Sequence, residues 1–453
     1  MNAERRNGAQ EPIRLSDHFS YGRLIRFTMP TIIMMIFTSI YGVVDGLFVS
    51  NVVGKTEFAA LNFVFPFIMV LGGAGFMIGT GGTALVAQQL GQGNKQKANH
   101  TFTTMVSFTI FLGAILTVIG IAVIRPVCVL LGATPEMIEG CVVYGRVTIA
   151  FTAAFMLQNV FQSFFVTAEK PHLGLYVVIA AGVTNMVLDF LFVGILGFGL
   201  AGAALATVCG EFIGGLFPIF YFTRKNSSLL RLGKTHWNGH VLLQTCINGS
   251  SELMTNLSSS IMNSLYNIQL MKFAGENGVA AYGTMMYINF IFLAIFFGYS
   301  IGSAPVISYH YGAGNQDELK NLFRKSLCLI GTWGIMLALL SQLLAAPLSK
   351  LFVGYDAELF AMTEHGFRIY CLAYLINGFN IFGSSFFTAL NNGVISAAIS
   401  FLRTLVFQII MILLLPTLLG INGIWSAVGI AELMTLCVTI TFFIKQRKKY
   451  HYV

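Results

Sequence analysis

Asp45, Asp189 and Glu211 stand inside long apolar runs of the chain, where a charged side chain has no water to solvate it. A bare carboxylate at the centre of a bilayer costs about 3 kcal/mol or more. Groups of suitable chemistry accompany these acids. Asn185 lies four residues before Asp189 in "VTNMVLDFLFVG", on the same helical face, and Thr207 lies four before Glu211. Gln158, Asn159 and Gln162 add amides in an earlier apolar run. Together these oxygens form a pocket suited to a small hard cation or a proton. The same groups can instead serve as hydrogen-bonding glue between helices. Neutral residues would do that at lower cost, so glue explains the amides and Thr207 better than it explains Asp45 and Asp189. Glu211 and Glu432 are expected near helix ends, where a packing role is ordinary.

A second polar set follows later. "NGSSELMTNLSSSIMNSLYN" carries Glu252 with Asn256, Asn263 and Asn267. This stripe either packs helices or turns Glu252 toward a cavity, to meet a cationic substrate. Tyr41, Gln158, Asn159, Gln162, Glu252 and Asn256 are read as a substrate or secondary coupling set. Arg146, Arg368 and Arg403 lie within apolar segments, at interfaces or as partners for acids. Pro30 lies fifteen residues before Asp45, and an internal proline removes a backbone hydrogen bond and permits bending. The 41 Phe, 19 Met and 16 Tyr suit a cavity for flat or cationic ligands, although most must face lipid or neighbouring helices.

The elements that position these residues are membrane helices. The 453 residues are 56% hydrophobic and only 10% charged, against about 25% charged in soluble domains; mean hydropathy is +0.76. Apolar runs of bilayer length recur throughout. Their length and continuity exclude a β-barrel, which needs short alternating strands. Helices are expected near 25–52, 59–89, 101–124, 137–167, 172–195, 199–222, 241–272, 279–309, 323–346, 358–390, 393–417 and 421–444. The predicted fold is an all-α polytopic membrane protein with twelve transmembrane helices.

Basic residues orient the bundle. Arg23, Lys95, Lys170, Arg224, Lys320 and Lys448 fall in connections on one side, and few fall on the other. Cytoplasmic loops collect Lys and Arg, so both termini are expected in the cytoplasm of a cell membrane. The net charge of +8 is explained in this way, without nucleic acid. The polar N-terminus lacks a signal-peptide pattern, so the first span is expected to be the targeting signal. The seven cysteines are scattered, with no disulfide framework or metal-ligand spacing.

The chain also repeats itself. "LGQGN" at 90–94 returns as "YGAGN" at 311–315, an offset of 221 that also pairs Phe102 with Phe323, Pro126 with Pro347, Gly202 with Gly423 and Glu211 with Glu432. Two six-helix lobes are therefore expected, related by a pseudo-two-fold axis along the membrane normal. The division is a tail at 1–20, an N-lobe at 21–222, a basic cytoplasmic linker at 223–240, a C-lobe at 241–444 and a tail at 445–453. One chain supplies both lobes, so a monomer is expected. The repeats are not equivalent: Tyr266 stands opposite Asp45, and Ile410 opposite Asp189, so the lobes should differ in task.

Catalytic and nucleotide patterns are missing. "VVGKT" and "RLGKT" lack the earlier glycine of a phosphate-binding loop, and no H-E-x-x-H or G-x-S-x-G occurs. An intramembrane enzyme has no nucleophile constellation here. A channel remains open, and ion conductance would separate it from a transporter.

These features resemble one family. "DGLFVSNVVGKTEFAAL", "LGQGN" and "NMVLDFLFVGILGFGLAGAALAT" are similar to the MATE (multidrug and toxic compound extrusion) transporters over nearly the whole chain. The resemblance implies a secondary antiporter of prokaryotic type. It would export organic, often aromatic, cations in exchange for H⁺ or Na⁺ by alternating access, with no cofactor and no metal beyond a Na⁺ at the coupling site. In the DinF-like branch, the coupling residues correspond to Asp45, Asn185, Asp189 and Thr207, and the helix 1 bend to Pro30. Other branches use a helix 7 Glu, which Glu252 resembles, and a helix 10 Asp, which "AYLINGFNIFGSSFF" lacks. A lipid-linked oligosaccharide flippase of the same superfamily is the alternative.

Overall fold

Hydrocarbon offers no hydrogen-bond partner to an open backbone, so a chain this apolar closes its bonds within helices. The computed structural model describes residues 12–130, 132–234 and 237–453, and all regular structure among them is helical. α1 (Tyr21–Phe48) starts at Ser20, whose Oγ accepts the Arg23 N–H, and ends in a π-turn at Val49–Val53. α2 (Lys55–Gly91) and α3 (Lys95–Leu130) follow. α4 is one span in two pieces, Pro135–Ile149 and Thr152–Thr167, bent by 56°. α5 (Pro171–Asp189) runs on into a π-turn at Phe190–Ile195, and α6 is Gly199–Thr223.

The next helical stretch, Gly239–Gly312, is 74 residues long. At about 1.5 Å per residue it would exceed three bilayer thicknesses. Gly275, at φ 63° and ψ −153°, breaks it, which gives α7 (239–274) and α8 (276–312). α9 (Gln316–Val353) comes next. α10 joins Ala357–Tyr370 to Tyr374–Ala389, and α11 joins Gly393–Phe401 to Phe407–Leu419. α12 (Ile421–Tyr450) closes the fold. Among the described residues this makes twelve spans in two lobes. Several helices outrun their expected ends: α3 was expected at 101–124 and α9 at 323–346. Hydropathy marks only the lipid-facing part, while the polar turns continue as capped helix, as at Asn315, which accepts the Glu318 N–H at 3.1 Å.

The repeat is visible in the packing. Phe102 meets Phe222 at 5.1 Å, and their partners at offset 221, Phe323 and Phe443, meet at 5.0 Å. Phe165–Phe222 and Phe386–Phe443 repeat the relationship at 5.5 and 6.0 Å. Tyr452 joins the second cluster, 4.8 Å from Phe323, so the C-terminal residues are packed rather than trailing. Between the lobes, α2 lies against α7 and α8. Gly81 and Gly249 make the α2–α7 approach possible, since a methyl on either would strike backbone of the other helix.

Candidate functional site

The acids of the first lobe converge because glycines let three helices close together. A Cβ on Gly182 of α5 would sit 2.6 Å from Phe37 and 2.8 Å from Tyr41, so α1 lies tightly on α5 there. A Cβ on Gly210 of α6 would sit 2.9 Å from the Ala181 carbonyl and 3.3 Å from Asn185 Cβ. Asp45 of α1 thereby comes within interacting range of Asn185 and Asp189 of α5. Thr207 of α6 accepts from Asn185 Nδ2 at 3.5 Å and donates to the Ala203 carbonyl at 3.0 Å.

What marks this cluster is its unspent hydrogen-bonding capacity. Asp189 is 0% exposed, and neither of its carboxylate oxygens makes a hydrogen bond of proper geometry. Asp45 Oδ1, Asn185 Oδ1 and Glu211 Oε2 are likewise buried and without a bond. Buried polar atoms normally find partners, and two facing carboxylates repel unless a proton or cation lies between them. Five oxygens on adjacent helices are a set that such a guest would satisfy. Among the described residues there is no group of three or more His, Cys, Asp or Glu placed to hold a metal ion, so a cation here would rest on the mixed Asp, Asn and Thr set.

The remaining residues of the sequence reading divide. Tyr41 faces Gln158 and Glu211 within the same pocket. Gln158, Asn159 and Gln162 are buried, with Gln158 against Gly214 of α6. Pro30 lies in the middle of α1. Glu252 belongs elsewhere: it lines a cavity of about 30 Å³ between the lobes, with Thr80, Ser163, Ser300, Ser384 and Arg403. That is room for roughly one or two waters. Asn256 turns its amide onto the Glu252 carbonyl at 2.9 Å, which leaves it a local helix contact.

Glu211 and Glu432 do not lie near helix ends, contrary to the sequence expectation; both sit mid-helix in α6 and α12. Their surroundings differ. Arg403 Nε donates to Glu432 Oε1 at 2.8 Å, and Asn380 Nδ2 donates to Oε2 at 2.7 Å. This buried pair also places Arg403 within attraction of Glu252. Arg368 pairs with Glu364 at 2.8 Å, and Arg146 is exposed. Sequence reasoning missed Tyr144 of α4, whose hydroxyl lies within interacting range of Thr207 and of the Asp45, Asp189 and Glu211 carboxylates. One tyrosine among 16 carries no signal of its own; only its place in the bent α4 reveals it.

A family model for MatE matches residues 30–191 and again 253–414, one match in each repeat. The multidrug export protein MepA of Staphylococcus haemolyticus (strain JCSC1435) is 24% identical over 425 residues, covering 93% of this chain and 92% of that protein. The probable multidrug resistance protein YoeA of Bacillus subtilis (strain 168) is 24% identical over 419 residues, 88% of this chain and 83% of its own. In fold, the chain is similar to an outward-facing multidrug resistance MATE family transporter of the MOP superfamily, with a TM-score of 0.91 at 21% identity over 98% of this chain and 99% of that one. It is also similar to a MOP superfamily transporter from Pyrococcus furiosus Vc1 (DSM3638), with a TM-score of 0.88 at 21% identity, 96% and 98% covered.

Proposed function

The chain belongs to the MatE family, and from that premise we propose that it is a membrane exporter of small organic compounds, cationic and aromatic in the main, driven by entry of H⁺ or Na⁺. It is a transporter and not an enzyme. The observation that carries the ion-coupled reading is the facing pair Asp45 and Asp189: both Asp189 carboxylate oxygens and Asp45 Oδ1 are buried without a hydrogen bond.

The pair supplies a switch. Empty and ionised, it is destabilised by repulsion and by lost hydration, so the conformation that encloses it is favoured only when a proton or Na⁺ has entered. The ion shifts the lobe equilibrium by its differential affinity for the two conformations. Asn185 and Thr207 orient the site, and Tyr144 closes it from α4. Glu252 supplies the anionic wall of the central cavity. That cavity is too small for a drug in this conformation, so substrate room must come from lobe movement. The bundle is closed on the face carrying both termini, which we assign to the cytoplasm from its basic loops. There Asn391 Nδ2 donates to Gln88 Oε1 at 2.8 Å across the lobes. The protein works as a monomer, since each lobe supplies half of the path.

The test is efflux of a fluorescent organic cation from cells or everted vesicles, with pH and Na⁺ gradients imposed separately. Efflux that follows one gradient supports the reading and names the ion. Efflux indifferent to both, with folded protein present, removes the coupling claim.

A further inference from the structure

Residues 12–20, just before α1, are not a free tail. Glu318 is the third residue of α9, after the cap Asn315, where a Glu commonly folds back onto its own cap. Here it reaches across to the amino-terminal segment. Its Oε1 accepts the Phe19 N–H at 2.9 Å, and its Oε2 meets His18 Nδ1 at 2.6 Å. Asn321 Nδ2 donates to Glu318 Oε1 at 2.8 Å and to the Phe19 carbonyl at 3.0 Å, and Lys325 Nζ donates to that carbonyl at 2.7 Å. Glu318 is 6% exposed, and Leu15 and Phe19 are fully buried. Toward the first lobe, among the described residues, the segment makes a single side-chain bond, from the Leu15 N–H to Glu169 Oε1 at 2.7 Å.

The same division continues along α1. Before and just beyond Pro30 the helix lies on α8, where a Cβ on Gly302 would meet Thr28 at 3.1 Å and one on Gly298 would crowd the Thr31–Ile32 backbone. Beyond it, Phe37 and Tyr41 lie on Gly182 of α5. A helix counted with the first lobe by sequence is thus tied at its terminal end to the second, with Asp45 at the far end.

We propose that Glu318 is a positioning residue for the transport cycle, fixing the start of α1 to the C-lobe so that lobe movement is transmitted along α1 to the carboxylate pair. The proposal rests on the antiporter reading above. When the lobes part on the cytoplasmic face, the segment stays with α9 and the Leu15–Glu169 contact opens. Movement of α5 against an anchored α1 then changes the Asp45–Asp189 approach, which ties ion binding to lobe position. Without the anchor, the start of α1 drifts with either lobe and the tie slackens.

The test uses full-length purified protein in proteoliposomes, with the exposed Cys328 and Cys437 replaced by Ser. Three quantities are read: the ratio of ion-driven to downhill flux of one fluorescent organic cation, its rescue, and the effect of cross-links. Glu318→Ala should lower that ratio by about tenfold, within the usual range of coupling energies. In His18→Cys/Glu318→Cys, closing the pair with a short thiol cross-linker should restore it, which mere repair of folding in the uncross-linked protein would not. A cross-link in Leu15→Cys/Glu169→Cys should stop ion-driven and downhill flux alike. A folded Glu318→Ala protein with the wild-type ratio, or free transport through the Leu15–Glu169 link, overturns the proposal. Loss of ion-driven flux in wild type itself would instead overturn the antiporter reading, and the anchor proposal with it.

Discussion

Gly91 and Gly312 stand at the same position of the two repeats, 221 residues apart, and each packs against the other's helix. A methyl on Gly91 would strike the backbone at Tyr309 and Ala313, and one on Gly312 would strike the backbone at Gln88. The motifs that disclose the repeat in sequence are therefore the surfaces on which the two lobes meet. Glycine is required there because backbone approaches backbone.

A larger side chain at this crossing should hold the cytoplasmic face open. Gly91→Leu inserts bulk where overpacking typically costs about 1–3 kcal/mol, and the cost falls on the closed conformation alone. Efflux should drop by at least about fivefold while the protein stays monodisperse. Cytoplasmic thiol labelling of Thr83→Cys, in the central cavity, should rise in parallel. Unchanged labelling and efflux would mean that this contact does not gate the path.

The buried acids should part company in stability measurements. Arg403→Ala leaves Glu432 buried without its guanidinium, a loss of about 3–5 kcal/mol for a pair of this kind. Asp189 has no bonded partner to lose. Asp189→Asn should leave the thermal midpoint in detergent unchanged or raise it while abolishing ion-driven transport. A strongly destabilised Asp189→Asn protein would make Asp189 a structural residue.

Tyr144→Phe tests the contribution of α4. It removes one hydroxyl near Thr207 and the acids and preserves the ring. A single hydrogen bond is worth about 0.5–1.5 kcal/mol, so the ion concentration for half-maximal transport should rise by about threefold to tenfold, with maximal rate retained. An unaltered ion dependence would place Tyr144 outside the site.

The sequence discloses those features whose cost is visible residue by residue. Asp45 and Asp189 stand out because a charge in hydrocarbon needs a reason. The twelve spans stand out because length and hydropathy bound them, and the repeat because its offset is constant. Pairings between distant helices leave no such trace. Arg403 and Glu432 read as two separate puzzles until α11 and α12 bring them to 2.8 Å. Glu318 lies in "GNQDEL" and His18 and Phe19 in "LSDHFS", some 300 residues apart; their meeting depends on how residues 12–20 fold against α9. Glu211 was expected near a helix end, but it sits mid-helix in α6, next to Gly210, where α6 closes on α5.

The most direct test of the central claim is substrate-evoked ion counterflow. Purified wild type, Asp45→Asn and Asp189→Asn proteins are reconstituted into liposomes enclosing an H⁺- or Na⁺-sensitive dye. An organic cation is then added on one side. Counterflow of one ion in wild type, with none in either variant, is the predicted result. Equal counterflow in wild type and both variants would contradict the assignment of the carboxylate pair as the coupling site.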